Sequence, residues 1–277
     1  MKYLIVTADD LGLTKSINEG IAKACREGIV TSVSVIPTGE AFADALKVIK
    51  DLGLKGIGAH LALTETKPLL KSSKFYINHY PLFKDIIFKK IDLEEIRKEL
   101  KAQLELLKDS GANITHINSH EHMHMIPEIL EILISLAKEF NIPALRYPRG
   151  DRPVRPFKIR DLYKKSVLSY FSGRNAGAFN SCGLLYTDHF FGVLDAGRLD
   201  IDKVKTIIEN LKEGVTELVT HPGFLSPEVL DRYSWHTGGE AELFALTDDR
   251  IKNLIKKNDI KLISYEDFLA LKHTPGR

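Results

Sequence analysis

Short apolar, β-branched runs alternate with helix-like segments along nearly the whole chain, and this alternation limits its fold more than any other feature. Strand-like runs occur at residues 4–6, 30–36, 56–61, 114–118, 144–146, 215–220 and 260–264. Helix-like segments, whose apolar residues recur at the spacing of one helix face, occur at 17–24, 41–52, 92–107, 127–140, 159–171, 201–211 and 248–256. Strands that alternate with helices of this length form βαβ units, so their strands lie parallel in one sheet.

A barrel accommodates this order of elements best in a chain of 277 residues. Neither GxGxxG nor GxxxxGK(S/T) follows the first strand-like run, which disfavours the nucleotide-binding open sheets. No low-complexity tract or linker divides the sequence into two domains. We therefore predict a single domain over residues 1–277, a distorted or incomplete (β/α) barrel of about seven parallel strands. Insertions near residues 67–91 and 148–200 interrupt the repeating pattern.

Composition excludes several classes of protein. Lys and Arg number 39 against 37 Asp and Glu, so no overall charge favours nucleic acid as a partner. Nothing approaches the ~20 consecutive apolar residues that membrane insertion needs. The first residues lack the pattern of a signal peptide, and two distant cysteines, Cys25 and Cys182, do not indicate a disulfide framework. A cytoplasmic globular protein with a small substrate is the expectation.

Polar residues collect where the predicted strands end. Asp9 and Asp10, His60, His120 and His221 each lie at or just past the end of a strand-like run. Each of them alone has an ordinary interpretation, such as a helix-entry turn or a surface histidine. Because the carboxyl ends of parallel strands share one face, we expect all five side chains to converge there.

Two histidines and one carboxylate, His60, His120 and Asp10, form a ligand set that leaves positions open for water and substrate, as in catalytic metal sites. A metal-bound water is acidic enough to attack a carbonyl near neutral pH. Asp9 is placed to take a proton from the water, and His221 to give one to a leaving group. No GxSxG elbow points to serine chemistry instead. The residues predict metal-dependent hydrolysis of an amide or ester.

The segment from His116 to Met125 has four histidines, at positions 116, 120, 122 and 124. An extended chain would point all four to the same side. They cannot all bind one ion together with Asp10 and His60, so we expect His116, His122 and His124 to shape the pocket or support the ligands. A histidine-rich surface tract with adventitious metal affinity is the alternative interpretation.

The order of these motifs resembles that of the YdjC-like carbohydrate deacetylase family, which includes chitooligosaccharide deacetylases. The matching motifs are Thr7–Gly12, Asn18–Ile21, Gly28–Ser32, His60–Glu65, Ser119–His124 and Thr220–Pro222. The resemblance implies a fold similar to the distorted barrel of polysaccharide deacetylases. It also implies a divalent metal on Asp10, His60 and His120, with Asp9 as general base and His221 as acid. Arg146 looks like the arginine that orients the base.

Two positions depart from the family pattern. Asn118 stands where the family commonly has aspartate, and an amide cannot raise the basicity of a neighbouring histidine ligand as a carboxylate does. Lower metal affinity is therefore expected. Thr66 stands where glycine often follows the acidic residue, so the loop towards Pro68 is expected to differ in shape.

The resemblance implies removal of acetyl groups from an N-acetylated sugar or oligosaccharide. The metal stays open, because imidazole ligands favour Zn²⁺ or another transition ion whereas the family is often described with Mg²⁺. The same residues also suit a metal-dependent phosphoesterase, another amidohydrolase or, without catalysis, a sugar- or metal-binding protein. Paired-carboxylate glycosidase chemistry would leave the histidines unexplained. The aromatic residues of 67–91, with Tyr233 and Trp235, fit a sugar-stacking rim, an anchored loop or a homodimer contact.

Overall fold

The computed structural model describes residues 1–155 and 159–273, so residues 156–158 and 274–277 of the predicted domain lie outside the described part. Eight strands within it form one sheet in which every pairing is parallel. They are β1 (Lys2–Leu11), β2 (Ser32–Val35), β3 (Ile57–Leu61), β4 (Ile114–Ser119), β5 (Ala144–Leu145), β6 (His189–Phe191), β7 (Gly214–Thr220) and β8 (Ile260–Leu262).

The helices lie between these strands, as the alternating pattern predicts. They are α1 (Lys15–Glu27), α2 (Phe42–Leu52), α3 (His79–Ile87), α4 (Leu93–Asp109), α5 (Pro127–Glu139), α6 (Ile159–Ser181), α7 (Ile201–Glu209), α8 (Pro227–Arg232), α9 (Gly239–Thr247), α10 (Asp249–Lys257) and α11 (Tyr265–His273). The side chains of Thr14 and Asp92 cap α1 and α4 by accepting backbone N–H groups of the first turn. None of the described helices is both long and apolar enough to cross a bilayer.

The sheet curls around β1 in the order β5-β4-β3-β2-β1-β7-β6. One edge of β1 pairs with β7 from Lys2 to Ala8, so its other edge carries β8 along the first residues and β2 along the last. β5 and β6 lie at the two ends of this order, and β8 pairs with β1 alone. Leu185, just before β6, pairs with Ala144 of β5 and brings the two edges towards each other. The predicted incomplete barrel of parallel strands is confirmed.

The apolar residues on the two faces of β1 belong to two different clusters. Leu4, Val6 and Ala8 join the large apolar core between sheet and helices. Ile5 faces the other way and belongs to a small apolar cluster with Tyr265 of the last helix. This smaller cluster fills one end of the barrel, which leaves the carboxyl ends of the strands for polar residues.

Some elements were not predicted from the sequence, or were predicted with different bounds. The insertion 67–91 contains the short helix α3, whose Leu82 and Ile86 are buried. The helix predicted at 159–171 extends to Ser181. Strand β6 has only three residues, too few for a periodic pattern.

Two glycines offer a matched test of packing near the carboxyl ends of the strands. A Cβ added at Gly20 of α1 would lie 2.4 Å from the Cα of Gly223, whereas one added at Gly177 of α6 would meet open space. We expect Gly20→Ala to lower the free energy of unfolding by about 1–3 kcal/mol through overpacking. Gly177→Ala should raise it by about 0.5–1 kcal/mol, because alanine loses less backbone entropy in a helix. Urea unfolding of both variants gives the signs, and a stabilising Gly20→Ala would contradict this packing.

Candidate metal centre and active site

The predicted site residues lie at the carboxyl ends of four strands. Asp9 and Asp10 are among the last three residues of β1, and His60 is in β3. His120 directly follows β4, and His221 directly follows β7. All five are buried, and none is more than 6% exposed. One ligand atom from each of Asp10, His60 and His120 lies within 4.8 Å of the others.

A local irregularity lets two consecutive aspartates contact the same site. Neighbouring residues of a regular strand point to opposite faces. The pairing of β1 with β2 shifts register between Ala8 and Leu11, and Asp10 adopts a left-handed φ of 68°. Aspartate is among the few residues that adopt this conformation readily. Asp9 consequently stays 3.7 Å from His60 Nδ1 while Asp10 also faces the histidines.

The geometry around Asp10 fits a metal ion. Its Oδ1 lies 3.3 Å from His60 Nε2 and 3.0 Å from His120 Nδ1, so two imidazoles converge on one carboxylate oxygen. Its Oδ2 is buried and has no hydrogen-bond partner among the described residues. Burial would raise the pKa of Asp10, but His120 and His60 hold it well below its usual value. An anionic oxygen with two nitrogen ligands and an unused lone pair is a donor set that suits a divalent cation.

Glu65 supports His120 from the far side. His120 Nε2 lies 3.0 Å from Glu65 Oε2, and Trp235 Nε1 donates to the same oxygen at 3.0 Å. Burial alone would lower the pKa of His120, but Asp10 and Glu65 raise it well above its usual value. A carboxylate that bonds the second nitrogen of a histidine ligand fixes the orientation of the ring. Glu65 ends the motif His60–Glu65 but was not among the site residues predicted from the sequence.

Asp9 belongs to a buried network of charges beside the predicted metal ligand His60. Arg146 donates to both of its carboxylate oxygens, at 2.5 and 2.9 Å, and to Glu217 Oε1 at 2.8 and 3.0 Å. Thr7 also donates to Glu217 Oε1, and the Tyr265 hydroxyl donates to Oε2 at 2.6 Å. Burial would raise the pKa of Asp9, but the Arg146 guanidinium lowers it well below its usual value. Arg146 thus lies beside Asp9, where the resemblance implies it.

Glu217 was not predicted as a site residue, although the sequence around it indicates a buried carboxylate. A glutamate stands between apolar residues in the strand-like run 215–220, and a buried carboxylate needs a partner of opposite charge. The partner, Arg146, comes from β5 on the far side of the curled sheet. Only the closure of the barrel brings these two residues together.

His236 lies beside Asp10, and the ring of His221 lies 6.2 Å from that of His236, centroid to centroid. The backbone N–H of His221 donates to Glu242 at 2.6 Å, whereas its Nδ1 lacks a partner in the described chain. The buried His236 also has an unpartnered nitrogen, Nε2, which lies 3.8 Å from Asp10 Oδ2. Burial lowers the pKa of His236 to about 4, so its ring is neutral. His236 sits on a 3-10 helix, and no strand-end pattern identifies it in the sequence.

The histidine tract is extended only as far as Ser119, so its four histidines do not all point to the same side. The strand ends at Ser119, a 3-10 helix covers His120–Met125, and Glu121 and His122 have φ values of 51° and 53°. His122 and His124 therefore turn away from the line of His120, and His124 Nδ1 bonds the Ser119 hydroxyl at 2.8 Å. The surface-tract interpretation fails for His124, which is fully buried.

His116 stays in the strand but serves the barrel interior. Its ring stacks on Tyr265, with centroids 3.6 Å apart, and its Nε2 lies 3.3 Å from the Ser34 hydroxyl. The insertion 67–91 contacts the region of the site through His79 Nδ1, which lies 2.5 Å from Glu121, and through the Tyr76 carbonyl, which accepts from the backbone N–H of Glu65 at 2.8 Å. Tyr76 of that insertion is buried, whereas Phe75 and Tyr80 are 50% and 71% exposed.

The chain is similar to known proteins over most of its length. The family model described as YdjC-like protein matches residues 3–257. A carbohydrate deacetylase of Brevibacillus brevis is 31% identical, covering 95% of this chain and 98% of its own length. One from Thermoanaerobacter pseudethanolicus is 28% identical, covering 96% and 98%.

A solved structure of similar fold comes from Enterococcus faecalis V583, and its name refers to cellobiose-phosphate cleavage. It superposes with a TM-score of 0.76 at 25% identity, covering 96% of this chain and 98% of the other. The matched span contains Asp10, His60 and His120. It also contains Asp9, Arg146 and Glu217. On these grounds the chain belongs to the YdjC-like protein family.

Proposed function

We propose that this protein is a metal-dependent hydrolase that removes acetyl groups from N-acetylated carbohydrates. The observation that carries the proposal is the convergence of Asp10, His60 and His120 beside a second buried carboxylate, Asp9. A binding protein needs the first three residues but has no use for the fourth. The relatives named carbohydrate deacetylase support the choice of an acetylated sugar as substrate.

Asp10, His60 and His120 would hold one divalent cation. Two imidazole nitrogens favour Zn²⁺ or another transition ion, and Mg²⁺ stays a candidate because carboxylate oxygen suits it. A bound cation would polarise the acetyl carbonyl and lower the pKa of a coordinated water. Glu65 would keep the His120 ring in place from its other nitrogen.

The residues of this chain would then move the protons. Asp9, kept anionic by Arg146, would take a proton from the attacking water while the water oxygen bonds to the carbonyl carbon. His221, in its protonated form, would donate to the sugar nitrogen as the carbon–nitrogen bond breaks. Acetate and a free amine leave. Arg146 would act by positioning Asp9, since it touches the carboxylate rather than the substrate.

A sugar ring could lie against Trp235 at the mouth of the site. Trp235 is partly exposed, and its ring centroid lies 5.7 Å from that of His120 and 5.6 Å from that of His221. An apolar ring face beside the reacting groups is suited to the C–H face of a pyranose. The exposed Phe75 and Tyr80 of the insertion are farther candidates for the same role with longer oligosaccharides.

Acetate release tests the proposal directly. We expect acetate from N-acetylglucosamine or its short oligomers, loss of that release when a chelator removes the metal, and recovery when Zn²⁺ or Mg²⁺ is added back. Phosphate release from sugar phosphates, assayed in parallel, would favour the phosphoesterase alternative. Sugar binding without turnover of any acetylated or phosphorylated compound would favour a non-catalytic protein.

A further inference from the structure

The amide of Asn118 lies between a predicted metal ligand and the Arg146 guanidinium. Asn118 is fully buried in β4 and stands directly opposite His60 of β3 in the strand register. Its neighbours are His60 Nδ1, the Ser34 hydroxyl, Asp9 and Arg146. An amide offers an acceptor oxygen on one side and a donor nitrogen on the other. These neighbours cannot all be satisfied by one orientation.

In the first orientation the amide oxygen faces His60. It accepts from His60 Nδ1 at 2.7 Å, while the amide nitrogen donates to Ser34 at 2.9 Å and to Asp9 Oδ1 at 3.4 Å. The proton of the neutral imidazole is then on Nδ1, so Nε2 has a free lone pair 3.3 Å from Asp10. This state can bind a cation. It also sets the amide nitrogen against the Arg146 nitrogens, which are all donors.

In the second orientation the amide is turned over. Its nitrogen donates to His60 Nδ1 at 2.7 Å and to the Ala59 carbonyl at 3.1 Å, and its oxygen accepts from Ser34 at 2.9 Å and from both terminal nitrogens of Arg146, at 2.8 and 2.9 Å. A neutral His60 must then have its proton on Nε2, pointing at Asp10. That nitrogen has no lone pair for a metal.

We propose that the Asn118 amide turns over when a metal binds, so that metal affinity at His60 is coupled to the contacts of Arg146. The inference rests on the proposed function, since it takes Asp10, His60 and His120 as the ligands. Without metal, the second orientation prevails because it satisfies Arg146 as well as His60. Metal binding requires the first, and the lost contacts with Arg146 weaken the affinity. An aspartate at 118 would accept from His60 and Arg146 at once, with nothing to turn over.

The metal titration uses Asn118→Asp. We expect the Kd for Zn²⁺ or Mg²⁺, measured by calorimetry on metal-free protein, to fall by about 10–100-fold, the size of effect typical of partners that bond a metal-ligating histidine. Ser34→Ala is the matched control, because the Ser34 hydroxyl lies 2.9 Å from the amide in both orientations. Its Kd should stay close to that of the natural chain. An Asn118→Asp variant that binds metal no more tightly would overturn the proposal.

A second measurement needs no metal. Side-chain ¹⁵N NMR on histidine-labelled, metal-free protein reports the tautomer of each ring at about pH 8, above the usual imidazole pKa of about 6.5. His60, assigned by its loss in His60→Gln, should have its proton on Nε2 in the natural chain and on Nδ1 in Asn118→Asp. An Nδ1 proton in the natural chain would contradict the amide orientation. If the protein binds neither metal, the proposed function fails in its metal dependence, while the tautomer still decides the amide orientation.

Discussion

Replacing Asp9 with asparagine is expected to reduce acetate release by about 10²–10⁴-fold, the contribution usual for a general base. Metal binding should persist, because Asp9 is not one of the three residues whose atoms cluster at the candidate metal centre. The amide oxygen of the variant still accepts from Arg146, and Glu217 still neutralises the guanidinium. The variant should therefore fold. Acetate assays and metal calorimetry on the same preparation measure the two effects.

The control for this prediction is His60→Ala, which should lose both metal binding and turnover. His60 Nε2 is one of two imidazole nitrogens that converge on Asp10 Oδ1, so its removal opens the ligand set. The contrast between the two variants separates proton transfer from metal binding. Near-full acetate release by Asp9→Asn would mean that another group takes the proton of the water.

Replacing Arg146 with methionine is expected to lower the free energy of unfolding by about 3–5 kcal/mol, the cost of breaking a buried ion pair from one side. Arg146 is fully buried and neutralises two carboxylates, Asp9 and Glu217. Without it, two anions remain unpaired inside the barrel. Without the guanidinium, burial would raise the pKa of Asp9 above that of the unfolded chain. The loss of stability is therefore full at neutral pH and becomes smaller as acid protonates Asp9.

Arg232→Met is the comparison variant for this prediction. Arg232 pairs with Glu40 and Glu228 at the surface, where ion pairs contribute at most about 1 kcal/mol. Chemical denaturation of both variants from neutral to mildly acidic pH gives the two differences. Equal small losses for Arg146→Met and Arg232→Met would show that the interior network adds little to stability.

Much of the site could be predicted because strand ends are readable in a sequence. The runs before Asp9, His60, His120 and His221 have the apolar pattern of buried strands. Parallel pairing then sets their carboxyl ends on one face, so these residues can be predicted to meet even when the loop conformations are unknown. Only the direction of each strand is needed, and the intervening helices determine it.

The rest depended on backbone conformation and closure that local patterns do not report. The left-handed φ values of Glu121 and His122 end the alternation that an extended chain would continue. His236 reaches Asp10 from a 3-10 helix whose sequence has no strand-end signal. Glu65 likewise follows β3 with a φ of 62° and meets His120 through a turn. Each of these positions is set by tertiary contacts rather than by periodicity.

The hydrogen bonds that run from Asp9 through Arg146 and Glu217 to Tyr265 join segments from both ends of the chain. During synthesis on the ribosome, Arg146 therefore emerges long before Glu217, and Tyr265 emerges last. A nascent chain that ends just after β5 contains the Asp9–Arg146 ion pair but lacks Glu217, the second carboxylate that neutralises the guanidinium. The buried network is consequently complete only after residue 265 has been translated.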